Sequence, residues 1–454
     1  MLPPSCRWPC RSLEAVRQYA EDVLAGIDSR PVVNGARPVP VPVPVPERGA
    51  GLRAALDEFT RRWAPGFSGS AGPRYLGFVV GGTTPAALAG DWLTSTFDQN
   101  VHSARDSAAT ALEHETVDWL RQLFGLHPDH VGAFVSGATM SNLVGLAIAR
   151  EWLGERLGVS VARAGVGALG AATVLSGEPH SSVYKALSVL GMGRDSMRLV
   201  PKLPGREAVD VDRLAAALDA LGGPAIVVAN AGTVNIVDFD DIAAIAALKD
   251  RFDFWLHVDG AFGAFAALSP EHAHLVNGIA DADSVCVDLH KWLNVPYDSA
   301  VQFTRRRDLQ VAVFENAAVY LGLPTSVPDF VHLTPETSRR QRALPAWFTL
   351  TAYGRDGHRE IVERDVAAAR RLGELLAGLP NVRLLAPVRL NVVCFAVDGF
   401  TPDQIADAVT AGGETFLTPT LLDGMPALRA AFSNWRTTSA DVDRVYRAIA
   451  NAVA

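Results

Sequence analysis

From about residue 65 the chain alternates short apolar runs with amphipathic stretches, and no other feature narrows its fold as much. Val131–Phe134 leads into a helix expected over Met140–Trp152, Ala171–Leu175 leads into Ser182–Leu190, and Ala225–Ala229 precedes Ile242–Arg251. Phe254–Val258 and Ser284–Val287 are further strands. Strands separated by helices argue for an α/β domain with a mostly parallel sheet. After about residue 345 the pattern changes to a helix near His358–Leu376, strands at Val382–Leu385 and Val392–Val397, and helices at Pro402–Ala411 and Ser439–Val453. The expected organisation is an N-terminal helix and strap over 1–65, a large α/β domain over 66–345 and a small α+β C-terminal domain over 346–454.

Upstream, Ser12–Ile27 has helical periodicity with Ser12 as candidate N-cap. Proline at every second position of Arg37–Pro46 can neither continue a helix nor join a central ladder, so this stretch reads as an extended strap. A chain of 454 residues with net charge −8 has the length for a large core and more than one domain. Its mild acidity argues against a nucleic-acid or anionic-membrane surface. No apolar stretch reads as a signal h-region or a membrane span. The four cysteines (Cys6, Cys10, Cys286, Cys394) have neither metal-site nor disulfide-framework spacing, so a reducing cytoplasm is expected.

Chemistry concentrates in four short segments. Asp288-Leu289-His290-Lys291-Trp292 ends an apolar strand. A lysine at such a strand end is expected to be partly desolvated, with its amine freed to form a Schiff base with an aldehyde cofactor. His257-Val258-Asp259-Gly260-Ala261 ends another strand, where open α/β sheets bind ligands. There Asp259 either caps a helix or keeps a pyridinium nitrogen protonated. Ser136-Gly137-Ala138-Thr139 joins a strand to a helix whose free N–H groups suit a phosphate; it matches neither the Walker loop nor the dinucleotide fingerprint. His180 is either a capping residue or an imidazole stacked on a cofactor ring.

In that order the segments resemble the group II pyridoxal-phosphate decarboxylases, which include aromatic amino acid, histidine and glutamate decarboxylases. The likeness runs from Pro73-Arg-Tyr-Leu-Gly-Phe78 through Leu112-Glu113 and Ser338-Arg339-Arg340 to Ser433-Asn-Trp-Arg-Thr-Thr438. It implies the aminotransferase fold type I and pyridoxal 5'-phosphate linked to Lys291. It also implies that Asp259 pairs with the pyridine nitrogen, with His180 on one face of the ring and Ala261 on the other. Ala138, Thr139 and His290 would hold the phosphate, and Ser338 would reach the neighbouring subunit's phosphate in a homodimer with shared active sites. The N-terminal segment would wrap the partner, though in this chain it is short. The implied reaction decarboxylates an L-amino acid to its amine.

Three departures bear on substrate and product. Relatives deliver a proton from a tyrosine on a mobile loop, here about Leu321–Thr337. Ungapped alignment back from Ser338 puts Phe330 at that place, which points to oxidative deamination to an aldehyde; with a shifted loop, Tyr320 or His332 serves instead. Many relatives read Gly-Thr-Thr where this chain has Gly232-Thr233-Val234, and Asn235 is expected to replace the lost hydrogen bond. Gly81 and Gly82 are expected either to leave room for a bulky substrate or to permit a tight turn. Asp98-Gln99-Asn100 and His102 stand where relatives contact the distal end of the substrate, and Arg74 and Arg105 read as carboxylate partners or as surface charges. Transamination, a non-catalytic cofactor-binding scaffold and a nicotinamide oxidoreductase complete the alternatives; the last lacks its glycine fingerprint.

Overall fold

The computed structural model describes residues 10–33, 40–105, 107–316 and 327–454. Seven strands form the main sheet: β1 (Val131–Val135), β2 (Val174–Ser176), β3 (Met197–Leu199), β4 (Ala225–Asn230), β5 (Phe254–Asp259), β6 (Ser284–Asp288) and β7 (Ala300–Thr304). Their order is β1-β7-β6-β5-β4-β2-β3. The run from β6 to β3 is parallel, and β7 is antiparallel to both its neighbours. Strands β4 to β7 are buried along their whole length, which is why they read as continuous apolar runs. The helix Ala138–Arg156 packs across the sheet from β5 to β7.

A second, antiparallel sheet contains β8 (Val382–Leu384), β9 (Val392–Val397), β10 (Thr418–Leu422) and β11 (Met425–Ala431), ordered β10-β11-β9-β8. The helices Pro402–Ala411 and Ser439–Val453 pack with it around Val393, Phe395, Leu428 and Ile449. Proline in β10 is tolerated because β10 is an edge strand. The helix Ala343–Ala377 links the sheets and kinks at Gly354 (φ +60°), so a division at 345/346 falls inside one helix.

The first helix spans Cys10–Ala25, which puts Ser12 inside it rather than at its cap. Of the proline strap, residues 40–46 are irregular and mostly exposed, and 37–39 lie outside the described residues. Among the described residues no helix is long and apolar enough to cross a membrane.

Candidate active site

The carboxyl ends of β1, β2, β4, β5 and β6 converge on one cavity of about 790 Å³, closed on its far side by Phe78, Val79 and Arg429. Lys291, His290, His180, Ala138, Thr139, Asp259, Ala261 and Val234 all line it, which brings together residues up to 153 positions apart (138 to 291).

Lys291 sits in the single helical turn Leu289–Trp292 that follows β6. Its Nζ lies 3.5 Å from Asp288 Oδ2, and His290 Nδ1 lies 3.1 Å from Asp288 Oδ1. The lysine therefore has a carboxylate partner at the strand end. Asp259 closes β5 and is almost fully buried. Its Oδ1 accepts from the Ala261 N–H at 3.2 Å and its Oδ2 from Asn142 Nδ2 at 2.8 Å.

His180 precedes the helix Ser181–Val189, and its Nδ1 accepts from the Ser182 N–H at 3.2 Å. It is thus a helix cap that also lines the cavity. Burial pulls its pKa below the usual imidazole value. The helix Ala138–Arg156 begins at the cavity with no side-chain cap on its first-turn N–H groups. Nineteen residues of aligned backbone dipole point their positive end there, as an anion site requires.

Two cavity residues, Arg429 and Tyr297, carry no local signal in the sequence. Arg429, on β11, is buried; it donates to the Phe78 carbonyl at 2.9 Å, and its Nε has no hydrogen-bond partner. Burial lowers its pKa to about 10. An arginine inside a strand reads as an outward-facing surface residue until the second sheet is docked on the first. Tyr297 lies beside His290, with ring centroids 4.2 Å apart at a 38° tilt, and is largely exposed. Phe78 has φ +58°, with its N–H donating to Thr418 Oγ1 and its carbonyl held by Arg429. No one-dimensional signal marks such a backbone in a phenylalanine.

Several expectations are corrected. Phe330 is fully buried, stacked on His114 at 4.5 Å beneath the Arg339 guanidinium, in a core with Val101, Ala133 and Leu333. Extracting such a ring costs about 1.5–3 kcal/mol, so Phe330 is a core residue rather than a side chain on a mobile loop. His332 is buried too, accepting from the Asn316 N–H, and Tyr320 lies outside the described residues. Gly81 leaves no room for a substrate, because a Cβ there would stand 1.7 Å from the Lys291 carbonyl oxygen. Its bareness lets two backbones touch. Gly82 is similarly confined by Asn434 and Ala71.

Asn100 is tied to the Arg339 N–H, and neither it nor Ser338 lines the cavity of its own subunit. Asn235 points away from the cavity: it binds Glu207, the Leu421 carbonyl and Thr420, joining the two sheets. Arg74 is neither a substrate partner nor a surface charge. It is buried, donating to the carbonyls of Asp28 and Glu414 and to Asp441. Arg105 is exposed and outside the cavity lining.

A strand-end lysine, a strand-end aspartate, a capping imidazole and an uncapped helix start around one cavity define a site of the pyridoxal-phosphate type on a mostly parallel α/β sheet. Residues 38–398 match the pyridoxal-dependent decarboxylase conserved domain, and the chain belongs to that family. It is 30% identical to the L-2,4-diaminobutyrate decarboxylase of Rhizobium meliloti, covering 92% of this chain and 84% of that protein. It is 29% identical to the aromatic-L-amino-acid decarboxylase of Bacillus atrophaeus, covering 82% and 79%. The fold is that of an Oryza sativa TDC crystal structure with PLP and tryptamine, with a TM-score of 0.91 at 24% identity over 100% of this chain and 99% of that one.

The cofactor is pyridoxal phosphate and the enzyme is an amino acid carboxy-lyase. The residues present fit that group. The uncapped helix start offers N–H donors to a phosphate, and Asp288 Oδ1, buried without a hydrogen-bond partner, lies within reach of His290.

Proposed function

We propose that Lys291 anchors the cofactor, that Asp259 faces its pyridine nitrogen and that His180 and Ala261 cover its two faces. Ala138, Thr139 and His290 receive its phosphate, and the product is the amine of an L-amino acid together with CO₂. The observation that carries this reading is the convergence of Lys291, Asp259 and His180 on one cavity whose opposite wall holds the buried guanidinium of Arg429.

Bound pyridoxal phosphate supplies an electron sink for the pair left on Cα when the carboxylate departs. The remaining work is orientation. Arg429 attracts the substrate carboxylate to the wall opposite the sheet, which sets the bond to be broken across the ring plane. Phe78, Val79 and Phe262 exclude water from it. These apolar walls, and the aromatic-L-amino-acid decarboxylases among the relatives, favour an aromatic or otherwise apolar side chain. Phe330, held in the core, lends no support to an aldehyde product.

The same reading includes a homodimer in a reducing cytoplasm, with Ser338 and Asn100 serving the neighbouring subunit. It is supported by Trp92, Leu93 and Phe97, exposed on the helix Pro85–Phe97, and by the free, buried thiols of Cys286 and Cys394. Incubation with a panel of L-amino acids, reading amine, aldehyde, CO₂, ammonia and peroxide, tests the reaction. Amine and CO₂ in equal amounts are expected; aldehyde, ammonia and peroxide in place of the amine, with CO₂ still released, would overturn it.

A further inference from the structure

Beneath the cavity runs a chain of hydrogen bonds whose donors and acceptors are all fixed by one side chain. Asn142 lies in the first turns of the helix Ala138–Arg156 and is fully buried. One face of its amide meets Asp259 Oδ2 at 2.8 Å and Ser182 Oγ at 3.1 Å; the other meets His257 Nε2 at 2.9 Å. A carboxylate only accepts, so the NH₂ end must face Asp259 and the carbonyl end His257.

From that choice the rest follows in both directions. His257 carries its proton on Nε2, and its Nδ1 accepts from the Ser284 hydroxyl at 2.7 Å, which in turn accepts from Trp255 Nε1 at 2.9 Å. Ser182 Oγ accepts from Asn142, so its own proton goes to His180 Nδ1, 2.7 Å away. That nitrogen already accepts the Ser182 N–H. Two donors on Nδ1 leave the ring proton of neutral His180 on Nε2. The arrangement has little slack: a Cβ on Gly145, one turn after Asn142, would stand 2.7 Å from the His257 ring.

We propose that Asn142 is a positioning residue which, through one amide, holds Asp259 as an acceptor and aims the Ser182 hydroxyl at His180 Nδ1, where it joins the Ser182 N–H in keeping the ring proton on Nε2. The inference rests on the placement of Asp259 and His180 around the cofactor proposed above. The two groups are thereby set together, so the carboxylate at the ring nitrogen and the imidazole over the ring face cannot be tuned separately.

The test is the ring-nitrogen NMR spectrum of ¹⁵N-histidine-labelled holoenzyme, with His180 assigned by its loss in His180→Gln. Wild type should show an unprotonated Nδ1. Asn142→Ala and Ser182→Ala should each shift the His180 Nδ1 resonance as the hydroxyl bond is loosened or lost, with the Ser182 N–H keeping the ring proton on Nε2; Ser182→Thr should restore the wild-type shift, and Asn142→Ala should weaken cofactor binding about tenfold or more, as loss of a hydrogen bond to a charged group does. If Asn142→Ala does not fold, the Ser182→Ala and Ser182→Thr pair decides. A His180 Nδ1 resonance unmoved in Asn142→Ala, or in Ser182→Ala where the former does not fold, would overturn the proposal. Failure of the underlying reading looks different, because wild-type protein would then not retain the cofactor on borohydride reduction, whatever the tautomer.

Discussion

The two walls of the cavity are built by opposite means. The sheet side is densely bonded: Asn142, His257, Ser284, Ser182 and Asp259 are joined by bonds of 2.7–3.1 Å, all are buried, and only Asp288 Oδ1 at the end of β6 is left over among the cavity's described sheet-side groups. The side supplied by the second sheet is sparse. Arg429 keeps one buried donor without a partner, and its hairpin is docked by Asn235 on Thr420 and Leu421 and by Lys202 on Asp423. The difference separates two tasks. A densely bonded floor fixes atoms that must not move during bond breaking, while a wall held by few bonds is where substrates are told apart.

Changes to the floor should therefore strike turnover, and changes to the wall should strike binding. Lys291→Ala should lower amine formation by about a thousandfold or more, as loss of a covalent anchor does, and abolish retention of the cofactor on borohydride reduction. Persistent retention would mean that another amine is the anchor. Arg429→Ala should raise KM about 10–100-fold, the scale of a charged hydrogen-bonded contact, with a smaller change in kcat. If kcat falls and KM stays, Arg429 belongs functionally to the floor, and the contrast between the walls breaks.

The same contrast explains what could be read from the sequence. The floor is made of strand-turn-helix segments, each short and contiguous, so Lys291, Asp259, His180 and Thr139 announce themselves within a few neighbours. Wall contacts span up to 351 positions, as between Arg429 and Phe78, and no local pattern encodes them. Strand β7 does not stand out in the alternation although Ala300-Val-Gln-Phe-Thr has strand composition, because it runs antiparallel to both neighbours and only the single helical turn Leu289–Trp292 separates it from β6. Phe330 and Gly81 failed for a related reason. Alignment gives a position but not the direction of a side chain or the closeness of another backbone, and here a core and a Lys291 carbonyl decide both.

The helix between the walls sharpens the comparison through pH. Ala343–Ala377 packs on β8 and β9 and on the segment Gly263–Leu268 beside the floor. Its His358 is buried, which pulls its pKa from the ordinary 6.5 to about 4. The unfolded chain therefore binds a proton between those values that the folded chain refuses. Stability from this group is complete above pH 6.5 and is lost as pH falls toward 4. The loss amounts to about 2 kcal/mol near pH 5. Thermal melts at falling pH should show His358→Gln losing less than wild type; parallel curves would place the acid sensitivity in the floor, where His257 is also held neutral by burial.

The smallest expected effect lies where the walls meet solvent. Lys202 Nζ binds Glu178 Oε2 at 2.6 Å and Asp423 Oδ1 at 2.8 Å, joining the segment that carries His180 to the turn of the β10–β11 hairpin. Asp423 is mostly exposed, so the pair is screened and contributes about 0–1 kcal/mol. Lys202→Met keeps the apolar stem and removes the charge. It should leave kcat within about twofold and raise KM by a few fold, consistent with a coupling of that size. Salt supplies the control: high ionic strength should move wild-type KM toward that of the variant and leave the variant's own KM unchanged. A variant as salt-sensitive as wild type would mean that the hairpin is held by Asn235 and its partners alone, and that the charged contact at the rim plays no part in seating Arg429.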